Sequence, residues 1–157
     1  MENKTVCSSN RYSWDEYFLK VTFLISERST CLRRNVGAIA VKDRRIIATG
    51  YNGACRGLDD CLKLGCLREE KGIESGTRHE ICRAVHAEQN VIIQSALAGN
   101  SIEGAIIYCT NSPCILCAKM LVNAKIKKCI CAEDYPDKQF IKLFWDAKIE
   151  YQKLILK

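Results

Sequence analysis

Two short stretches, His86-Ala87-Glu88 and Pro113-Cys114-Ile115-Leu116-Cys117, constrain this chain more than anything else in it. His86, Cys114 and Cys117 are soft or borderline donors of the kind that suit zinc. Three protein donors leave the fourth tetrahedral position to water, as a catalytic zinc requires. Glu88 is not needed as a donor, so it is free to move protons. For the three donors to share an ion, the fold must bring residue 86 against residues 114–117. Both stretches fall at expected helix starts, where the positive end of the helix stabilises thiolates. Cys114 and Cys117, three apart, project from one side of a first turn. A lone Cys-x-x-Cys pair would read equally well as two buried thiols. The upstream His-x-Glu and the proline directly before Cys114 favour the metal.

At 157 residues the chain is expected to fold as one domain, 1–157, with a sizeable core. The stretch Met1–Asn10 is polar and lacks the apolar segment of a secretory signal. No run approaches the ~18 uninterrupted apolar residues of a membrane span. A cytoplasmic location without a membrane partner is the expectation. Eleven cysteines then read as metal ligands, catalytic groups or small buried hydrophobes rather than disulfides, and the odd number fits a complete disulfide framework poorly. The net charge of +6 suits a phosphorylated substrate and would also suit a weak nucleic-acid contact. Lys125, Lys127 and Lys128, the densest basic cluster, read as a solvated helix end.

The hydrophobic pattern predicts a helix over Ser13–Ser29, opened by a Ser13/Glu16 capping box and striped by Tyr17, Phe18, Val21, Leu24 and Ile25. Val36–Val41 and Arg45–Gly50 read as a hairpin joined by the polar turn Lys42–Arg44. His86–Ala98 is a helix closed by Gly99, and Gly104–Thr110 is a strand. Ser112 is expected to cap a helix with Pro113 at its first position, running to about Ala124. Ile126–Ala132 is a strand, Asp137–Ala147 a helix and Ile149–Leu156 a last strand or strand-like tail. A hairpin followed by alternating helices and strands implies an α/β fold with a mixed five-stranded sheet, largely parallel beyond the hairpin, and helices on its faces.

Residues 13–151 resemble the deoxycytidylate (dCMP) deaminase family, including its bacterial ComE-type late-competence members. The resemblance rests on Arg28-Ser-Thr-Cys31, Val36-Gly37-Ala38, Gly50-Tyr51-Asn52-Gly53, His86-Ala-Glu88-Gln-Asn90, Tyr108-Cys-Thr110, Ser112-Pro-Cys114 and Asp134-Tyr135-Pro136. His-Ala-Glu and Pro-Cys-x-x-Cys are shared with tRNA adenosine deaminases and riboflavin-pathway deaminases. The Gly-Tyr-Asn-Gly stretch and the long segment before His86 narrow the choice. The resemblance implies a cytidine-deaminase-like three-layer α/β/α fold and hydrolysis of dCMP to dUMP and ammonia in pyrimidine deoxynucleotide metabolism. Zinc at His86, Cys114 and Cys117 would bring the pKa of its water to ~7. The resulting hydroxide would attack C4 of the cytosine, with Glu88 taking the water proton and delivering protons to N3 and the departing amine. Asn52 would contact the sugar and base, the Ala87 backbone the base edge, and Tyr135 the substrate phosphate. It further implies a homo-oligomer, often a hexamer in this family, with dCTP and dTTP as effectors. The alternatives are a tRNA adenosine deaminase, or a competence-associated nucleic-acid-binding protein with this fold.

Gly53–Arg83 is long and irregular for a segment between a strand and a helix, and carries Cys55, Cys61, Cys66, His79 and Cys82. A second, structural zinc, as several family members carry, would staple it to the domain. The preferred ligands are Cys31, Cys61, His79 and Cys82, with Cys66 the main substitute for a cysteine and Cys55 a weaker one. Otherwise these are reduced, uncoordinated thiols. Cys129 and Cys131 alternate onto one strand face and are expected in the core. Trp14, Phe144 and Trp145 fall on amphipathic helices and are expected to pack.

Overall fold

The computed structural model describes residues 11–156; the polar stretch Met1–Asn10, with Cys7, and Lys157 lie outside them. Helix α1 (Trp14–Ser26) opens with the expected capping box. Glu16 donates its N–H to Ser13 Oγ at 3.2 Å, and Ser13 donates its N–H to Glu16 Oε2 at 2.8 Å. The helix stops three residues before the expected Ser29. Strands β1 (Gly37–Lys42) and β2 (Arg45–Tyr51) form the antiparallel hairpin. Its turn residues Asp43 and Arg44 both have positive φ, 49° and 60°, the pair that a two-residue I′ turn requires.

The long segment then carries elements that its irregular composition hid. Strand β3 (Gly53–Ala54) pairs antiparallel with β4 (Ala84–Val85), clamping the two ends of the segment together. Between them lie the short helices α2 (Cys61–Leu64) and α3 (Leu67–Glu70) and a 3₁₀ turn at His79–Ile81. The chain continues as α4 (Ala87–Leu97), β5 (Ile106–Asn111), α5 (Ile115–Asn123), β6 (Lys128–Glu133), α6 (Gln139–Asp146) and β7 (Glu150–Lys153). The main sheet has the order β2-β1-β5-β6-β7. β1 is antiparallel to β5, while β5, β6 and β7 run parallel, the expected mixed five-stranded α/β fold.

Period-two alternation assigns the two faces. Ile39, Val41, Tyr108 and Ile130 pack with Phe18 and Leu19 of α1. Ala38, Ala40, Ile107, Cys109, Cys129 and Cys131 point the other way, into the core that takes in residues of α4, α5 and α6. Five of those six are small, so helices on that face can sit low on the sheet. Cys129 and Cys131 are fully buried, as expected, and with Cys109 form a tight group of thiols inside this core.

Two glycines mark backbone-to-backbone approach. A Cβ at Gly37 would lie 2.1 Å from Thr22 O in α1, and one at Gly50 would lie 2.3 Å from Ala87 O in α4. One aromatic expectation fails. Phe144 is buried, and Trp14, though 43% exposed, packs with its ring stacked on Phe18; Trp145 is 82% exposed, because α6 turns only one face to the sheet.

Candidate metal centre and active site

His86 and Cys114 are the N-cap residues of α4 and α5, so both helices aim their positive ends at one point. The expected Ser112 cap is displaced by two residues. Asp137, from the loop before α6, accepts the Ile115 N–H at 2.7 Å and does the capping instead. Ser112 Oγ accepts the Tyr135 N–H at 2.8 Å, tying that loop to the end of β5. His86 is held by its own N–H, donated to Gln89 Oε1 at 2.9 Å.

His86 Nδ1 lies 3.5 Å from Cys114 Sγ and 3.3 Å from Cys117 Sγ. A tetrahedral ion with ordinary Zn–S and Zn–N bonds would set neighbouring N and S donors about 3.5 Å apart. The donor chemistry and the spacing both fit zinc. The electrostatics agree. Hydrogen bonding from Cys117, aided by His86 against the cost of burial, holds the Cys114 thiol down to about 4. Cys117 is pushed well up by its hydrogen bond to Cys114 and by burial. A second thiolate therefore needs a cation. For His86, burial is outweighed by the hydrogen bond from Cys114 and the charge of Glu88, and its pKa rises.

Glu88, in the first turn of α4, is only 4% exposed. Burial raises its carboxyl to about 7, against the lowering charge of His86. A cavity of about 260 Å³ joins Glu88, His86 and Cys114 to Asn52, Arg34 and Tyr135.

Asn52 is buried and heavily engaged. Its Oδ1 accepts from Ser29 Oγ at 2.6 Å and from Val36 N at 2.9 Å, and its Nδ2 donates to Arg34 O at 2.8 Å. Its φ is not positive, so a left-handed turn does not explain it. One Nδ2 hydrogen remains for a ligand. Ala87 is fully buried and also lines the cavity. The Arg34 guanidinium lies over the Tyr135 ring, 5.2 Å from its centroid. Arg33, Arg34 and Arg68 were not singled out from the sequence, yet all three line the cavity. The Arg33-Arg34 pair directly before β1, in a chain read as acting on a phosphorylated substrate, was the available signal.

The expected second metal set is only partly assembled. Cys31, Cys61, Cys66 and Cys82 all line the same cavity. Cys61 has its pKa raised by burial and then by the nearby Cys31, Cys66 and Cys82. His79 instead packs edge-on against His86, ring centroids 4.9 Å apart. Among the described residues, donor atoms gather within 4.8 Å of one another in two groups, His86/Cys114/Cys117 and Cys109/Cys129/Cys131, and neither is this set.

His86, Cys114 and Cys117 thus form a three-donor group between two helix N-termini, with the buried Glu88 beside it, on an α/β scaffold. Residues 12–133 match the cytidine and deoxycytidylate deaminase zinc-binding region, and the chain belongs to that family. It is 39% identical over 147 residues to ComE operon protein 2 of Bacillus subtilis, covering 93% of this chain and 74% of that protein. It is 36% identical over 151 residues to the deoxycytidylate deaminase of Saccharomyces cerevisiae, covering 94% of this chain but only 47% of the yeast protein. The chain thus spans about half the length of that relative. The dCMP deaminase of cyanophage S-TIM5, solved in complex with dCMP and dUMP, superposes with a TM-score of 0.78 at 32% identity. That match covers 92% of this chain and 99% of the phage chain. No helix among the described residues is long and apolar enough to cross a membrane.

Proposed function

We propose that this chain hydrolyses dCMP to dUMP and ammonia, with Glu88 moving the protons. The observation that carries the reading is one cavity, of a size to take a single nucleotide, with the three-donor centre and Glu88 among its lining residues together with Arg33, Arg34 and Tyr135. Zinc, held by His86, Cys114 and Cys117, would lower the pKa of a water to ~7 and so supply the nucleophile. Glu88 would accept a proton from the attacking water and pass it to N3, then carry the second water proton, from the oxygen now on C4, to the amine that leaves as ammonia. A carboxyl near 7 can both take and give at neutral pH. The free Nδ2 hydrogen of Asn52 would serve the sugar, the Ala87 backbone the base edge, and the guanidiniums the phosphate through charge-assisted hydrogen bonds.

The test is ammonia release by the zinc-loaded protein from dCMP, deoxycytidine, dCTP and an adenosine-bearing RNA hairpin, compared side by side. dCMP should lead. Equal efficiency on deoxycytidine would overturn the monophosphate reading, and preference for the hairpin would favour the tRNA alternative. Glu88→Ala should retain zinc and lose at least 10²–10⁴ in rate; full activity in that variant would sink the mechanism.

We also propose that Cys31, Cys61, His79 and Cys82 hold a second, structural zinc. The support is chemical: three of the four line one cavity, and both ring nitrogens of His79 are buried without a hydrogen-bond partner, a state that costs free energy. Cys82 closes the 3₁₀ turn that begins at His79, donating its N–H to His79 O at 3.0 Å. Residues three apart in such a turn project from one side.

A further inference from the structure

The largest unexplained feature lies at the other end of the β1–β2 hairpin from Asn52. Given the rise of a strand, six or seven residues place it roughly 20 Å away. There the N-terminus of α1 and the hairpin turn enclose a cleft of about 640 Å³, lined by Arg11, Tyr12, Trp14, Tyr17, Arg44 and Arg45 over a floor of Phe18. Three of its aromatic rings stay in solvent: Tyr12 is 56%, Trp14 43% and Tyr17 47% exposed. Cations already sit on two of them. The Arg44 guanidinium is 5.2 Å from the Trp14 ring centroid, and Lys20 Nζ is 4.4 Å from that of Tyr12. Among the described residues, no acidic side chain lines the cleft. Three carboxylates adjoin lining residues in sequence: Asp15 accepts the Tyr108 hydroxyl at 2.6 Å, Glu16 accepts the Ser13 N–H at 2.8 Å, and Asp43 is exposed in the hairpin turn beside Arg44.

We propose that this cleft binds single-stranded nucleic acid. Trp14 backs onto Phe18, ring centroids 5.6 Å apart and stacked, so its one outward face is the face that Arg44 covers; a base would stack there while the guanidinium turns to its phosphate, and such stacking tolerates any sequence. Duplex is disfavoured because its bases are already stacked. The lining argues for a strand over a mononucleotide: three guanidiniums and three exposed rings line the cleft, whereas a mononucleotide offers one phosphate and one base.

The test is fluorescence anisotropy of a labelled oligo(dT) lacking a 5′-phosphate, titrated with zinc-loaded full-length protein. Oligo(dT) has no cytosine to deaminate, so the outcome is independent of the dCMP reading. With three phosphate contacts, affinity should fall about twentyfold between 50 and 200 mM salt. Arg44→Ala with Arg45→Ala should reduce that dependence to about threefold. Trp14→Ala should weaken binding by about fivefold to a hundredfold, and each variant should keep parental ammonia release from dCMP. Saturating dCMP should not displace the oligonucleotide. Parental binding by the double arginine variant, or displacement by dCMP, would overturn the proposal. So would a parent that fails to bind oligo(dT) but self-associates through this face, with Arg44→Glu dissociating it: the occupant would then be a second copy of the chain. Arg44→Glu also stands in if Trp14→Ala does not fold, since Arg44 is exposed.

Discussion

The Asp137 carboxylate accepts the Ile115 backbone N–H at 2.7 Å, so the loop before α6 caps the helix that follows Cys114 and carries Cys117. Its second oxygen accepts the N–H of Gln139, the first residue of α6, at 2.9 Å. Removing a cap of this kind costs about 1 kcal/mol, and Asp137→Ala loses two. The variant should unfold several degrees lower and release zinc faster to a chelator, because Ile115 directly follows Cys114. Asp137→Asn should recover most of the melting temperature. Unchanged zinc release in Asp137→Ala would show that the cap does not steady the metal centre.

Glu88 makes metal-free protein pH-sensitive. Its carboxyl is raised from 4.5 to about 7 by burial, so between those values the folded chain keeps a proton that the unfolded chain gives up. Stability therefore falls as pH rises through that window, by about 3 kcal/mol in all. Glu88→Gln is neutral throughout and should escape the loss. Urea unfolding of the chelated proteins at pH 5 and pH 8 should show the variant gaining on the parent at the higher pH. A constant difference would mean the carboxyl is not held neutral.

Arg34 rests on Tyr135 in the lining of the cavity. Arg34→Ala should raise KM for dCMP by tenfold or more, since charge-assisted hydrogen bonds contribute roughly 1.5–3 kcal/mol, and should leave deoxycytidine nearly untouched. Tyr135→Phe keeps the ring and should be mild, whereas Tyr135→Ala should follow Arg34→Ala. Equal losses on nucleotide and nucleoside would reduce both residues to packing.

Gly50 lets β2 touch α4. A Cβ there would lie 2.3 Å from Ala87 O and 2.7 Å from Val91 N, both backbone atoms. Gly50→Ala must push the first turn of α4 outward, carrying Glu88 with it. We expect a destabilisation of about 1–3 kcal/mol and a fall in kcat larger than any change in KM. Parental kcat in the folded variant would show that the turn can shift without misplacing the carboxylate.

Metal content separates the two proposed zinc sites. The purified chain should carry two zinc ions, and His79→Ala with Cys82→Ser should carry one, with the Gly53–Arg83 segment becoming open to proteolysis. One zinc in the parent, together with alkylation of Cys31, Cys61 and Cys82, would reject the second site. Protection of Cys66 in place of Cys61 would keep the site and change its ligand.

Much of this was legible in the sequence because it was local. The Ser13/Glu16 box, the alternation of Ala38-Ile39-Ala40-Val41 and the His-x-Glu and Cys-x-x-Cys spacings each act within a turn or two of chain. Periodicity and donor chemistry therefore sufficed for the five-stranded sheet and for the His86/Cys114/Cys117 group. What the sequence could not declare depended on partners far along the chain. Asp137 replaces Ser112 as the α5 cap across more than twenty residues. The β3–β4 clamp joins segments thirty residues apart, through strands too short to leave a pattern. Trp145 has the composition of a core residue, and only the face that α6 turns to the sheet left it in solvent. Arg34 meets Tyr135, and His79 meets His86, only because the loops before β1, α4 and α6 converge. Donor identity is a property of residues, but the cavity those donors share is a property of how the helices sit on the sheet.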